Sequence, residues 1–156
     1  MTCSRRDDGE TCLVTRINVM PYRVLSHTAD TGIEATGDSL ASLIEELATG
    51  MFGLVATIEP MAAERWTKFS VHSPSLEDLV VDTLSELVYL SETEDLVFCA
   101  FSVDLSPGAL AVTMEAGGVP VAAVEPSGPP IKAVTYHRLV VEEREDGWYG
   151  RVYFDV

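Results

Sequence analysis

Apolar and polar positions follow two periods along this chain, and each change of period marks an expected element boundary. Residues 22–25 are rich in β-formers, and Ile33-Glu34-Ala35-Thr36 alternates apolar with polar as a half-buried strand does. Residues 27–30 between them read as a turn. Leu40, Leu43, Ile44, Leu47, Ala48, Met51, Phe52 and Val55 then recur at three-four spacing, the broad apolar face of an amphipathic helix capped by Asp38 or Ser39. Gly50 and Gly53 weaken that helix towards its end. Met51 and Phe52 lie on the stripe and read as core, with no ligand role.

Residues 65–72 alternate imperfectly, which predicts a strand stopping at Ser73-Pro74. A second helix is expected from there, with Ser73 as cap, Pro74 in the first position and Leu76, Leu79, Val80, Thr83, Leu84, Leu87 and Val88 as its buried stripe. Its polar side carries Glu77, Asp78, Asp82 and Glu86. Asp82 and Glu86 face the same way and suit either a cation or, more plainly, a solvated acidic surface. The helical period lapses by residues 91–95, and residues 96–105 read as a strand turned by Pro107-Gly108 into a partner over 109–116. Gly117-Gly118 reads as a break, residues 119–124 as a further strand and 126–130 as a loop. Residues 134–143 and 148–154 flank Asp146-Gly147, a hairpin turn dipeptide. Two amphipathic helices on a largely antiparallel β-sheet define an α+β fold.

Length and composition fit one domain: 156 residues at 47% hydrophobic content supply a single sizeable core. Residues 1–20 stand apart, because Ser4-Arg5-Arg6-Asp7-Asp8-Gly9-Glu10 has no period able to support a core, and they read as a disordered tail before a 21–156 domain. Met20, just before Pro21-Tyr22, is a second candidate start of translation. No apolar run reaches bilayer length and no signal peptide is evident, so a cytoplasmic protein is expected. Cys3, Cys12 and Cys99 match neither a disulfide framework nor a zinc motif and read as reduced thiols. The formal charge of −15, from 10 basic and 25 acidic residues, argues against tight direct binding of nucleic acid. It fits solubility, a saline habitat, or a partner protein with a basic surface.

Candidate chemistry gathers where apolar segments stop. His27 and Asp30 stand three apart in Ser26-His27-Thr28-Ala29-Asp30-Thr31-Gly32, Lys132 and His137 bracket Ile131-Lys132-Ala133-Val134-Thr135-Tyr136-His137, and the chain closes on Tyr153-Phe154-Asp155-Val156. His27 either orients Asp30 or weakly ligates a metal, although a hydrogen-bonded structural role is the plainer account; the same holds for His137, positioned by Thr135 and Tyr136. Glu34 reads as a surface residue of its strand, and His72 has no constellation around it. A salt bridge to a nearby acid is the plain account of Lys132. Carboxylates with an imidazole also leave open a metal-dependent hydrolase using Asp30, Asp155 and His27, although no nucleophile elbow or phosphate-binding glycine loop accompanies them.

These segments, with the 82–89 helix stretch, together resemble the archease family over about residues 22–156. The resemblance implies a protein activator, without a reaction of its own, of the RNA-splicing ligase that uses GTP and a divalent metal to join 3′-phosphate or 2′,3′-cyclic phosphate RNA ends to 5′-hydroxyl ends. It implies help with guanylylation of the ligase and with multiple turnover. It places the family's functional groups on Asp30, Lys132 and Asp155. It also implies a divalent metal (calcium, manganese or magnesium) held by Asp30, Asp155 and the terminal carboxylate of Val156, donors that suit a hard cation. A chaperone-like adaptor for RNA-modifying enzymes is a further role associated with the family.

Overall fold

The computed structural model describes residues 22–26, 31–59, 62–106, 108 and 110–156. The expected tail with Cys3 and Cys12, and the 27–30 turn with His27 and Asp30, lie outside the described residues. Strands β1 (Tyr22–Ser26) and β2 (Thr31–Gly37) pair antiparallel. The period-two alternation of β2 is realised: Ile33 and Ala35 are buried while Thr36 is exposed.

Helix α1 (Leu40–Gly53) starts at Ser39, whose extended backbone and side-chain oxygen, accepting the Ser42 N–H at 3.1 Å, settle the cap in favour of Ser39 over Asp38. Leu43, Ile44, Leu47, Ala48 and Met51 are fully buried, as the three-four stripe requires. Each large member contributes roughly 1.5–3 kcal/mol through burial.

Strand β3 (Arg65–His72) leads to helix α2 (Leu76–Glu94), which begins two residues later than the sequence suggested. Ser75 is the cap in place of Ser73, because its Oγ accepts the Asp78 N–H at 3.1 Å and donates to the Asp78 carboxylate at 3.0 Å. The Ser73 hydroxyl is buried and committed elsewhere, donating to Asp82 at 2.7 Å. The helix ends at Asp95 in the left-handed region, φ 53°. Among the described residues, no helix is long and apolar enough to cross a membrane.

Strands β4 (Leu96–Leu105) and β5 (Ala111–Pro120) form the expected hairpin, and β5 also pairs with β3 to give a three-stranded sheet ordered β3-β5-β4. Gly117-Gly118 is not a break and 119–124 is not a separate strand. β5 runs through both glycines because the Trp66 ring lies across Gly117, where a Cβ would come within 2.7 Å of it, and a bulge between Phe98 and Ala100 absorbs the irregularity on β4. Val121–Ala123 is a 3-10 turn. Along the outer strand β4, the Val103 N–H donates to the Glu45 carboxylate of α1 at 2.8 Å.

The 134–143 stretch is likewise two strands, β6 (Ala133–Val134) and β7 (Val140–Arg144), which pair with different parts of β8 (Gly147–Asp155). Between them Thr135 uses both its N–H and its hydroxyl on the Tyr153 carbonyl, at 3.1 and 3.0 Å, and Arg138 turns through φ 54°. The β7–β8 turn is Glu145-Asp146, one residue earlier than read, with Gly147 opening β8 at φ 138°.

Among the described residues the strand pairs are antiparallel and divide into two sheets, the other ordered β1-β2-β8 with β6 and β7 sharing the far side of β8. α1 packs on β2 and β8 of one sheet and β4 of the other, and α2 also touches both. One hydrophobic core therefore joins Ile33, Val152 and Phe154 to Leu47, Leu84, Phe98 and Met114. The expected α+β architecture of two amphipathic helices on antiparallel strands is present.

Candidate functional site

The far end of β8 is where the sequence-distant segments meet. The register sets Thr31 across from Phe154 on one side and Ala133 across from Asp155 on the other, and the Lys132 N–H donates to the Asp155 carbonyl at 2.8 Å. Lys132 and Asp155 are thus directly joined through backbone, while both residues are exposed. Their side chains carry no hydrogen bond or ion pair among the described residues. The salt bridge offered as the plain account of Lys132 is absent there. Val156 follows at the exposed edge.

The support beneath these groups is close-packed. Gly32 opposes Tyr153, and a Cβ on Gly32 would lie 2.7 Å from the Tyr153 ring and 2.8 Å from the Val152 carbonyl, so the ring occupies the space that glycine leaves. Tyr153 is buried, with the His137 ring edge-on to it at 5.8 Å between centroids. The His137 backbone N–H donates to Thr135 Oγ1 at 3.3 Å, so Thr135 and the Tyr153 ring both help to place His137.

Tyr136 and Asp78 belong to this neighbourhood although sequence reasoning gave neither a site role. The Tyr136 hydroxyl donates to Asp78 Oδ1 at 2.5 Å, joining the 132–139 segment to the first turn of α2. That bond holds the Asp78 carboxyl below its ordinary range, helped by Ser75, and pushes the Tyr136 phenol up to about 12. The available signal was the capping box Ser75-Leu76-Glu77-Asp78.

His27 and Asp30 lie outside the described residues; Thr31, which follows Asp30 directly in the chain, is the flanking residue that the register fixes. His72 ends β3, and Asp82 accepts the Ser73 hydroxyl. Among the described residues no three His, Cys, Asp or Glu side chains converge as a metal cluster. What the edge presents is an ammonium suited to a phosphate and a carboxylate suited to a cation, each on a fixed strand end.

Comparison with known proteins adds lineage to this geometry. Residues 22–156 match the model of the archease protein family. A protein archease of Methanosarcina acetivorans is 34% identical over 145 residues, covering 86% of this chain and 95% of the relative. A protein archease of Pyrococcus furiosus is 31% identical over 140 residues, covering 83% and 94%. Two solved structures share the fold: the solution structure of protein 1598 of Methanobacterium thermoautotrophicum, with TM-score 0.70 and 22% identity over 88% of this chain and all of that one, and an archease from Thermotoga maritima described as a possible chaperone, with TM-score 0.59 and 21% identity over 86% and 96%.

Proposed function

The chain belongs to the archease family, and on that premise we propose that it is a protein cofactor of the GTP-dependent 3′-phosphate RNA-splicing ligase, promoting guanylylation and repeated turnover in tRNA splicing and RNA repair. The observation that supports this reading is the pairing of strand ends that puts exposed Lys132 and Asp155 side by side, with no ion pair among the described residues to occupy either side chain. A lysine whose charge is unspent at a rigid edge is suited to reach phosphate in a partner's site. The acidic remainder of the chain leaves RNA binding to the ligase.

Asp30, Lys132 and Asp155 are the proposed activating residues. For a divalent ion (calcium, manganese or magnesium) the proposed holders are Asp30, Asp155 and the terminal carboxylate of Val156. Asp155 and Val156 fit in part: they are adjacent, exposed oxygen donors, as hard cations require. A bound cation would supply local positive charge, and the chain's own contribution is to hold the strand ends that present it. His27 and His137 would then act as supports behind these groups.

The test is ligation of a 3′-phosphate RNA by the same organism's ligase, held well below substrate, with GTP and manganese. Full turnover only with the chain present, lost in Asp30→Ala, Lys132→Ala and Asp155→Ala variants that remain folded, is the expected result. No stimulation of a competent ligase overturns the reading. Client binding that survives loss of the acids would instead favour the adaptor role, and metal-dependent turnover by the chain alone the hydrolase.

A further inference from the structure

Tyr136 offers a second layer to this site, resting on the activator reading above. The segment that carries Lys132 lies against β8 through Lys132 N–H to Asp155, the β6 register, and the two bonds from Thr135 to the Tyr153 carbonyl. These ties fix the segment to its own sheet. They do not fix it relative to α2, whose first turn stands beside it. Relative to α2 the segment is held by packing of Ile131, Val134 and Leu139 in the shared core and, as a directional contact, by Tyr136 Oη to Asp78 Oδ1 at 2.5 Å, with Asp78 itself bonded to the Ser75 cap through its N–H and its carboxylate. The phenol ring is exposed at 55%, so burial of the ring does not explain its place. An exposed tyrosine making a short bond to a preset carboxylate spans two elements that the sheet hydrogen bonds leave independent.

We propose that Tyr136 is a positioning residue for ligase activation, pinning the Lys132 segment to the N-terminal turn of α2 through Asp78 so that Lys132 is held in one orientation at the strand edge. Misplacement of a reacting partner by about 1 Å costs on the order of a hundredfold in rate, so loss of a single tether is readable in turnover without loss of binding. The role is transmitted through backbone: the Leu139 N–H returns to the Tyr136 carbonyl at 3.2 Å and Arg151 Nε donates to the Arg138 carbonyl at 3.0 Å, closing the segment on itself.

The first variant is Tyr136→Phe, which keeps the ring and leaves the Ser75–Asp78 cap intact. Two readouts are needed, hydrogen exchange of the Lys132 amide and the concentration dependence of ligase stimulation. The expected result is exchange at Lys132 faster by about tenfold, with stimulated turnover at saturation lowered by about threefold to tenfold and the half-saturating concentration unchanged. Asp78→Asn keeps one acceptor oxygen and should retain most of the stimulation, Asp78→Ala should match Tyr136→Phe, and the double variant Tyr136→Phe/Asp78→Ala should be no worse than either alone. Unchanged Lys132 exchange in folded Tyr136→Phe overturns the inference, as does unchanged turnover at saturation. If the unaltered chain fails to stimulate a competent ligase, the activator reading falls, and the positioning role tied to it falls with it; the exchange result then shows separately whether the tether itself exists.

Discussion

The two ends of β8 treat charge in opposite ways. At the Gly147 end, Arg144 pairs with Glu142 and lies over the Tyr149 ring at 3.8 Å from its centroid, Tyr149 donates to Glu34 at 2.7 Å, and Glu34 holds Arg23. That end also has a cleft of about 350 Å³ lined by residues including Asp38, Glu46, Trp148 and Tyr149. At the Asp155 end, the backbone is tied down at Lys132 and Thr135 while the Lys132 and Asp155 side chains are left unengaged among the described residues. Charges consumed by neighbours stabilise a surface; charges on a fixed backbone with nothing to consume them are available to another molecule. The residues proposed for activation lie at the second end, where the described side chains leave Lys132 and Asp155 unengaged.

The sharpest way to break this contrast is charge removal at each end. Lys132→Ala or Asp155→Ala should lower ligase stimulation by about a hundredfold or more, as loss of a charge-stabilising group does in a reacting site, with stability changed by no more than about 0.5 kcal/mol. Arg144→Ala should leave stimulation intact and cost about 0.5–1 kcal/mol in denaturant midpoint analysis through its lost stacking. A smaller effect on stimulation is expected from glycine replacement. Gly32→Ala drives a Cβ into Tyr153 and Val152, and Gly147→Ala strains a positive φ and meets the Gly37 carbonyl at 2.6 Å. Each should destabilise by about 1–3 kcal/mol in urea unfolding, but only Gly32→Ala should also reduce stimulation per folded molecule. Smaller again is the outcome of an appended C-terminal residue, which displaces the terminal carboxylate proposed for the metal and should weaken stimulation, whereas an insertion at Glu145-Asp146 should not.

The smallest effect is a pH dependence present at both ends. Tyr136 is raised to about 12 by its bond to Asp78, and Tyr149 is raised by burial and then by Glu34. A raised phenol contributes stability that is present below the ordinary value of 10 and is lost as pH climbs through the folded value. Thermal melts should therefore decline between pH 10 and about 12, with Tyr136→Phe shallower than the unaltered chain. Asp78 is lowered, so its contribution holds above its ordinary value of 3.8 and fades as pH falls beneath it.

What could be read from the sequence follows the range of the forces involved. The stripes of α1 and α2 and the alternation of β2 are set by burial of successive side chains and were legible in their main members, although Val55 lies past the end of α1 and Val81, off the expected stripe, is buried. The α2 cap was misplaced because two serines compete for one role, and only tertiary contact reveals that Ser73 serves Asp82. Gly117-Gly118 looked like a break because the Trp66 ring that covers Gly117 comes from a strand distant in sequence. For the site, Lys132 and Asp155 were identified by motif, but their direct backbone contact is a property of register. The Tyr136–Asp78 bond escaped notice because Asp78 lies on a helix face that, taken alone, reads as solvated acid.

One feature of α1 bears on behaviour at high concentration. Glu45 occupies the Val103 N–H, a donor on an outer strand of the three-stranded sheet, so another chain cannot add a strand there without displacing a charged side chain. The opposite outer strand, β3, carries Arg65 and Lys68 with no acid among its residues, Lys68 being paired across to Glu115 of β5 at 3.8 Å, and long basic side chains on an edge disfavour strand addition. Among the described residues, the outer strands of the three-stranded sheet thus each carry a device against strand addition, occupation of a donor on β4 and basic side chains on β3.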